Sequence, residues 1–291
     1  MISIIITSFK EPDTIGRAIQ SFLDQNLQGY ELIISAPDNE TLAVARSYQR
    51  NNHNIILIRD PGRGKPTALN EVFRTARGSI LILSDGDVFV GSNSVKKLIR
   101  HFENPQVGAV SGRVISTNPR KKMFGFWAYA LTEINHLLRL REQQKGNLLC
   151  SGYLYAVRKE LVSILPENIL ADDAFISLQV SAQRAQIMYE SAARVYVKYP
   201  TNLPDWIRQK KRTAAKFYQL SSYFPLSKSA HLTDELLAGL QGLRIIRSLR
   251  EVFWFIALAV MRIYIWARVV FDVRLWARSF ERTWERVEST K

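Results

Sequence analysis

Short apolar runs rich in isoleucine and valine alternate with segments of helical period through residues 1–115, which predicts βαβ units on a parallel sheet. Strands are expected at 2–7, 30–35, 54–59 and 79–84. Between the first two, Ile15, Ala18, Ile19, Phe22 and Leu23 make one helical stripe, and further helices are expected at 41–48 and 66–75. Pro66 suits the first turn of the last of these, where an N–H has no helical partner. The opening run at 2–6 has no basic region before it and no small-residue cleavage site after it, so it reads as a first core strand rather than a signal peptide.

From about Gly108 the pattern changes to a strand at 110–115, a long helix at 122–141, a strand at 153–157 and a helix after Asp172. Another helix starts at Pro204-Asp205, and 236–286 reads as helix almost throughout, with arginines and aromatic residues interleaved. The expected class is α/β: a Rossmann-like, mostly parallel central sheet flanked by helices in one domain at 1–220, then a helical, basic and aromatic region at 221–291.

Composition adds two constraints. The 291 residues are 47% hydrophobic, enough for one large core and an appendage. The lone Cys150 can form no internal disulfide and lacks zinc-site neighbours, which favours a reducing compartment and a cytoplasmic setting. A formal charge of +14 calls for an anionic partner, whether nucleic acid, lipid headgroups or a phosphorylated substrate.

The chemistry-bearing residues fall where strands end, the place where ligands of such sheets gather. Polar segments sit there at 7–11, 35–38, 59–65 and 84–87. Asp85-Gly86-Asp87 follows an apolar strand and offers two carboxylates to a hard cation, Mg²⁺ or Mn²⁺, with phosphate oxygens completing the shell; the alternative is a solvated Asp-Gly turn. Gly62-Arg63-Gly64-Lys65 fails as a P-loop, since Arg59 stands where the first glycine belongs, but it leads into a helix N-terminus and suits a diphosphate. Asp172-Asp173 either caps the helix that follows or supplies a general base whose pKa its neighbour raises. Gln209 and Arg212 share a helix face and can hold a pyrophosphate, or form one basic face among several.

In order along residues 1–220, these pieces resemble the family 2 glycosyltransferases of the GT-A fold. The segment 3–11 is similar to that family's opening strand and nucleotide loop, so Thr7, Ser8, Phe9 and Glu11 are expected at the donor nucleotide. Gly64-Lys65-Pro66-Thr67-Ala68-Leu69-Asn70 resembles its Gly-Lys-x-x-Ala-Leu-Asn segment, Asp85-Gly86-Asp87 its Asp-x-Asp metal motif, Asp172-Asp173 its acidic pair, and Gln209-x-x-Arg212 its Gln-x-x-Arg-Trp motif. The resemblance implies a nucleotide-sugar-binding half at 1–115 and an acceptor half at 116–220. It also implies metal on Asp87 and Asp85, Asp173 as base, Lys65 or Arg212 on the leaving phosphates, and inversion at the anomeric carbon. A nucleotide-diphosphate sugar is the expected donor, UDP-sugars first, and a glycan or lipid-linked molecule the acceptor.

Three departures mark this chain. Ser35-Ala36-Pro37-Asp38 stands where many members have Asp-Asp-Gly-Ser, so the donor contact is expected to shift to Asp38. Thr213 replaces the tryptophan after Arg212, and Lys10 replaces the asparagine of the nucleotide loop. The tail reads as helices lying in an anionic membrane surface on its cytoplasmic face, with Trp254, Trp266, Trp276 and Trp284 among arginines; the alternatives are a single span over 252–271, made costly by Arg262 and Arg268, and simple packing on the core. The rival functions are a non-catalytic nucleotide-binding relative and a basic nucleic-acid binder; the second leaves both acidic pairs unexplained, and no nucleic acid is expected as partner.

Overall fold

A computed structural model describes residues 1–223, 242–274 and 288–290. The elements run β1 (Ile2–Thr7), α1 (Pro12–Leu23), β2 (Tyr30–Ala36), α2 (Asn39–Gln49), β3 (Ile55–Arg59), α3 (Lys65–Thr75), β4 (Ile80–Asp85) and β5 (Val88–Val90). They continue through α4 (Ser94–Arg100), β6 (Val107–Ser116), α5 (Met123–Lys145), β7 (Leu154–Arg158), α6 (Asp172–Ala182), β8 (Gln186–Val197), α7 (Leu203–Tyr223) and α8 (Leu249–Arg274). The eight strands form one sheet in the order β3-β2-β1-β4-β7-β6-β8-β5.

The sheet is parallel where the apolar runs come first in the sequence: β1 pairs in parallel with β2 and β4, and β2 with β3. Ile4, Ile5, Ile6, Leu32, Ile33, Ile34, Leu81 and Ile82 have no exposed surface, as expected of strands covered on both faces. β7 is antiparallel to both β4 and β6, so β6 runs with the parallel set. This mostly parallel sheet flanked by helices is the α/β class expected from the sequence.

Two strands carry no clear sequence signal. β5 is three residues long, and β8 alternates between buried and outer positions only from Ala193 to Val197. The two pair with each other, antiparallel, at the far edge. The chain separates into two compact units, Met1–Ile115 with Arg139–Val197, and Ser116–Leu138 with Lys198–Lys291. The whole sheet except Ser116, the last residue of β6, belongs to the first.

In the second unit, α8 is fastened along its inner side. Arg120 grips Glu251 through Nε and Nη2, both at 2.9 Å, and donates to the Ile245 carbonyl at 2.6 Å. Trp127 Nε1 donates to the Trp254 carbonyl at 2.7 Å, and Trp206 packs on Trp127 edge to face. No helix among the described residues is long and apolar enough to cross a membrane, which corrects the alternative of a span over 252–271. Arg262 and Arg268 interrupt that stretch. Residues 236–241 and 275–286 of the expected long helix, with Trp276 and Trp284, lie outside the described residues.

Candidate active site

Strand register brings the expected residues to one edge of the first unit. Thr7, the last residue of β1, stands opposite Ser35 of β2 and Asp85 of β4. The chain then passes directly into loops, and two backbone bonds knit these together: Ser8 N–H to the Ser35 carbonyl at 2.9 Å and Gly86 N–H to the Thr7 carbonyl at 3.0 Å.

Gly86 is needed for space. A Cβ there would lie 2.3 Å from Ser8 Oγ and 2.6 Å from Glu11 Oε2, and those two atoms are themselves hydrogen-bonded at 2.7 Å. The turn Gly86-Asp87 therefore lies flush against the 8–11 loop, and Asp87 follows Asp85 at its rim. Phe9 in the same loop is partly exposed, while Thr7, Ser8 and Glu11 are buried.

Asp38 is a brace. Its Oδ1 accepts the Thr41 N–H at 2.9 Å, capping α2, and its Oδ2 accepts the Lys10 N–H at 2.7 Å. Burial pushes its carboxyl up, but the hydrogen bonds from Thr41 and Lys10 outweigh this and hold it below the ordinary aspartate range. Lys10 itself has a φ of 53°, a left-handed conformation that asparagine tolerates better than lysine.

Asp60 has no counterpart in the sequence reading, which sees only a polar segment at 59–65. Buried just past β3, it accepts the Ser35 hydroxyl at 3.0 Å and the Gly62 N–H at 2.9 Å. A carboxylate thus stands beside Ser35 after all, supplied by the neighbouring strand. The available signal was Asp-Pro-Gly directly after an apolar run, a turn in which the aspartate accepts a backbone N–H two residues on.

The centre of the site is Lys65. Gly64 precedes it with a φ of 106°, open to glycine and strained for other residues, and Pro66 starts α3 behind it. Lys65 Nζ lies 2.6 Å from Asp85 Oδ1 and 3.3 Å from Asp172 Oδ2. Burial alone would pull the ammonium pKa down, yet Asp172 and Asp85 reverse this and hold it above the ordinary lysine value. One cation therefore joins the end of β4 to the start of α6, across long stretches of chain.

The N-cap of α6 is Ala171, and Asp172 and Asp173 follow it in the first turn. Asp173 accepts the Gly152 N–H at 2.8 Å through Oδ2, and its carbonyl accepts the Ser177 hydroxyl, which in turn accepts the Cys150 N–H. Asn70 makes two bonds to the backbone of Leu165, both 2.9 Å, so the asparagine of the Gly-Lys-x-x-Ala-Leu-Asn segment secures the approach to α6.

Tyr155, also missed by sequence reading, lies on β7 between Leu83 and Ser111 with no exposed surface. Its hydroxyl has no hydrogen-bond partner among the described residues. Burial, then the charges of Asp172 and Asp173, push its pKa well above the ordinary value, so it stays protonated. Burial likewise pushes the Cys150 thiol up to about 12, which removes it as nucleophile or metal ligand.

The donor atoms suit a hard divalent ion, being carboxylate oxygens with no soft ligand among them. Among the described residues no three His, Cys, Asp or Glu group tightly enough to hold a metal. Mg²⁺ or Mn²⁺ fits on the condition that substrate oxygens complete its shell. Gln209 and Arg212 belong to the second unit, on α7; Gln209 is buried, and its Oε1 has no hydrogen-bond partner among the described residues.

The strand order and the acidic and basic side chains gathered at the carboxyl edge of the sheet agree with the GT-A fold. The family model for glycosyl transferase family 2 matches residues 3–164, and the chain belongs to that family. It is 23% identical over 265 residues to an N-acetylglucosaminyltransferase of Azorhizobium caulinodans, covering 81% of this chain and 65% of the relative. It is also 22% identical over 246 residues to the hyaluronan synthase of Streptococcus pyogenes, covering 76% of this chain and 58% of the synthase. The chain thus spans less than two thirds of the length of these curated relatives. Among solved structures it is similar to the mannosyltransferase PcManGT from Pyrobaculum calidifontis in complex with GDP-Man and Mn²⁺, with a TM-score of 0.71, 16% identity, and coverage of 96% of this chain and 88% of that one.

Proposed function

We propose that this chain is an inverting glycosyltransferase that moves a sugar from a nucleotide-diphosphate sugar to an acceptor hydroxyl, in the synthesis of a glycan or glycolipid. The observation that supports it best is the Lys65 bridge, which sets the metal-type carboxylate Asp85 and the acidic pair at 172–173 around one cation. Asp173 serves as base: it takes the acceptor proton as that oxygen attacks the anomeric carbon and the nucleoside diphosphate leaves from the opposite side, which inverts the centre. Asp172 and Lys65 hold the charge balance beside it.

Asp85 and Asp87 would hold Mg²⁺ or Mn²⁺ together with donor phosphates, and the ion would supply positive charge against the departing diphosphate. Lys65 adds to that charge from the protein side. Thr7, Ser8, Phe9 and Glu11 form the nucleotide loop. Asp38, with both oxygens already accepting backbone N–H groups, shapes this loop, and Asp60 is the carboxylate nearer the replaced family position at Ser35. The phosphate role of Gln209 and Arg212 rests on the motif alone. UDP-sugars are the first donors to try and GDP-mannose, held by the PcManGT structure, the second. The acceptor is a glycan or lipid-linked molecule met at the cytoplasmic face of an anionic membrane.

A thermal-shift series with nucleoside diphosphates and nucleotide sugars, with and without Mn²⁺, tests donor binding: a matching nucleotide raises the melting temperature, and more so with metal. Asp173→Asn should keep that shift and lose transfer by about a hundredfold or more. Full transfer by Asp173→Asn would remove the base assignment. Binding without turnover by the wild-type chain would instead identify a nucleotide-binding relative.

A further inference from the structure

The outer face of α8 carries exposed apolar residues from Leu249 to Phe271. Leu249, Phe253, Ile256, Val260, Ile263 and Phe271 recur at intervals of three, four or eight residues, and each is between 44% and 80% exposed. Such spacing puts them on one side of a helix. Leu258 and Ile265, on the other side, are buried together with Glu251. The usual polarity of a surface helix is therefore doubled: α8 is apolar inward, where it packs, and apolar outward as well.

This face is fixed rather than free to roll inward. Arg120 holds Glu251 by two bonds, and Trp127 holds the Trp254 carbonyl, so the first turns of α8 are fastened by their inner side. The 26-residue helix is about 39 Å long, which makes the stripe longer than the scattered apolar residues of an ordinary soluble surface. Arg250 and Arg268 are exposed and stand eighteen residues apart, five turns of helix, so they flank the stripe on the same side.

We infer that α8 lies in the plane of an anionic bilayer, with the stripe of Phe253, Val260 and Ile263 sunk among the acyl chains and Arg250 and Arg268 at the headgroup phosphates. The chemistry fits on both counts: an apolar side that water penalises, and cations at its border in a chain of formal charge +14. No helix among the described residues is long and apolar enough to cross a membrane, and an in-plane position lets the arginines of α8 stay at the headgroups while its stripe is buried. The inference deepens the membrane part of the proposed function and is separate from its catalytic part.

Vesicle flotation of the full chain reads it out. The chain should float with phosphatidylcholine vesicles carrying phosphatidylglycerol and much less with phosphatidylcholine alone. Changing Phe253, Val260 and Ile263 together to Gln should cut partitioning by roughly a hundredfold or more, since each large apolar side chain withdrawn from water is worth about tenfold. Arg250→Gln or Arg268→Gln should cost about fivefold each, and only on anionic vesicles. The triple variant must keep its circular dichroism; the Phe253→Gln change alone, with a loss of about tenfold, serves if it does not. Undiminished flotation of these variants overturns the inference. So does a wild-type chain that ignores vesicles and instead dimerises through the same three side chains in sedimentation. A nucleotide thermal shift measured in parallel separates failure of this inference from failure of the donor site.

Discussion

Gly86 illustrates how much a single position decides. Its neighbours Asp85 and Asp87 draw attention in the sequence, yet the glycine sets their distance from the nucleotide loop, because even a methyl group would press on Ser8 and Glu11. Gly86→Ala is expected to lower stability by about 1 to 3 kcal/mol and to weaken nucleotide binding, as the loop must retreat. Unaltered nucleotide affinity in that variant would mean that the loop makes no contact with the donor. Legibility at this scale is uneven. Asp85, Asp172 and Lys65 stand out in the sequence as charges after strands and before helices, but their meeting does not, because it depends on how α3 and α6 are laid against the sheet. Asp60 and Tyr155 give weak signals for a similar reason: one looks like a turn aspartate and the other like a core aromatic residue until burial and partners are known.

Among the elements, the fastening of α8 has an acid dependence that can be worked out. The hydrogen bonds from Arg120 hold Glu251 below the ordinary glutamate range, and burial opposes them only in part. A carboxyl lowered on folding contributes stability that is complete above its unfolded-state pKa, about 4.3, and is lost as pH falls through the folded-state value. Unfolding of the second unit should therefore ease as pH drops below about 4.3, and Glu251→Gln should flatten that dependence. Arg120→Ala, leaving the buried Glu251 carboxylate with the Arg247 N–H but without its guanidinium partner, should cost about 2 to 3 kcal/mol at neutral pH. The four tryptophans among the described residues, Trp127, Trp206, Trp254 and Trp266, fall in the second unit, so fluorescence reports on its unfolding. An Arg120→Ala protein with an unchanged fluorescence transition would show that the latch contributes nothing. At this scale β1 to β4 are legible as apolar runs because both their faces are covered, whereas β8, irregular in pattern, is held as a strand between β6 and β5, and the short β5 by pairing with β8.

For the molecule as a whole, the net charge of +14 makes a prediction that no single residue makes. Screening shortens the reach of charge from about 10 Å at about 0.1 M salt to about 3 Å at about 1 M. Binding to anionic vesicles should weaken across that range and level off at what the apolar stripe alone sustains; binding indifferent to salt would leave the charge without a part in it. By itself, the sequence determined the α/β class, the alternation of strands and helices through the first 115 residues, and the residue types available for chemistry, because periodicity and strand-end position are local properties of the chain. Only the tertiary structure decided that Lys65 bridges Asp85 and Asp172, that Asp38 braces a loop, and which side of α8 stays bare. Each of these is a contact, or a missing one, between segments far apart in the chain, and packing alone sets it.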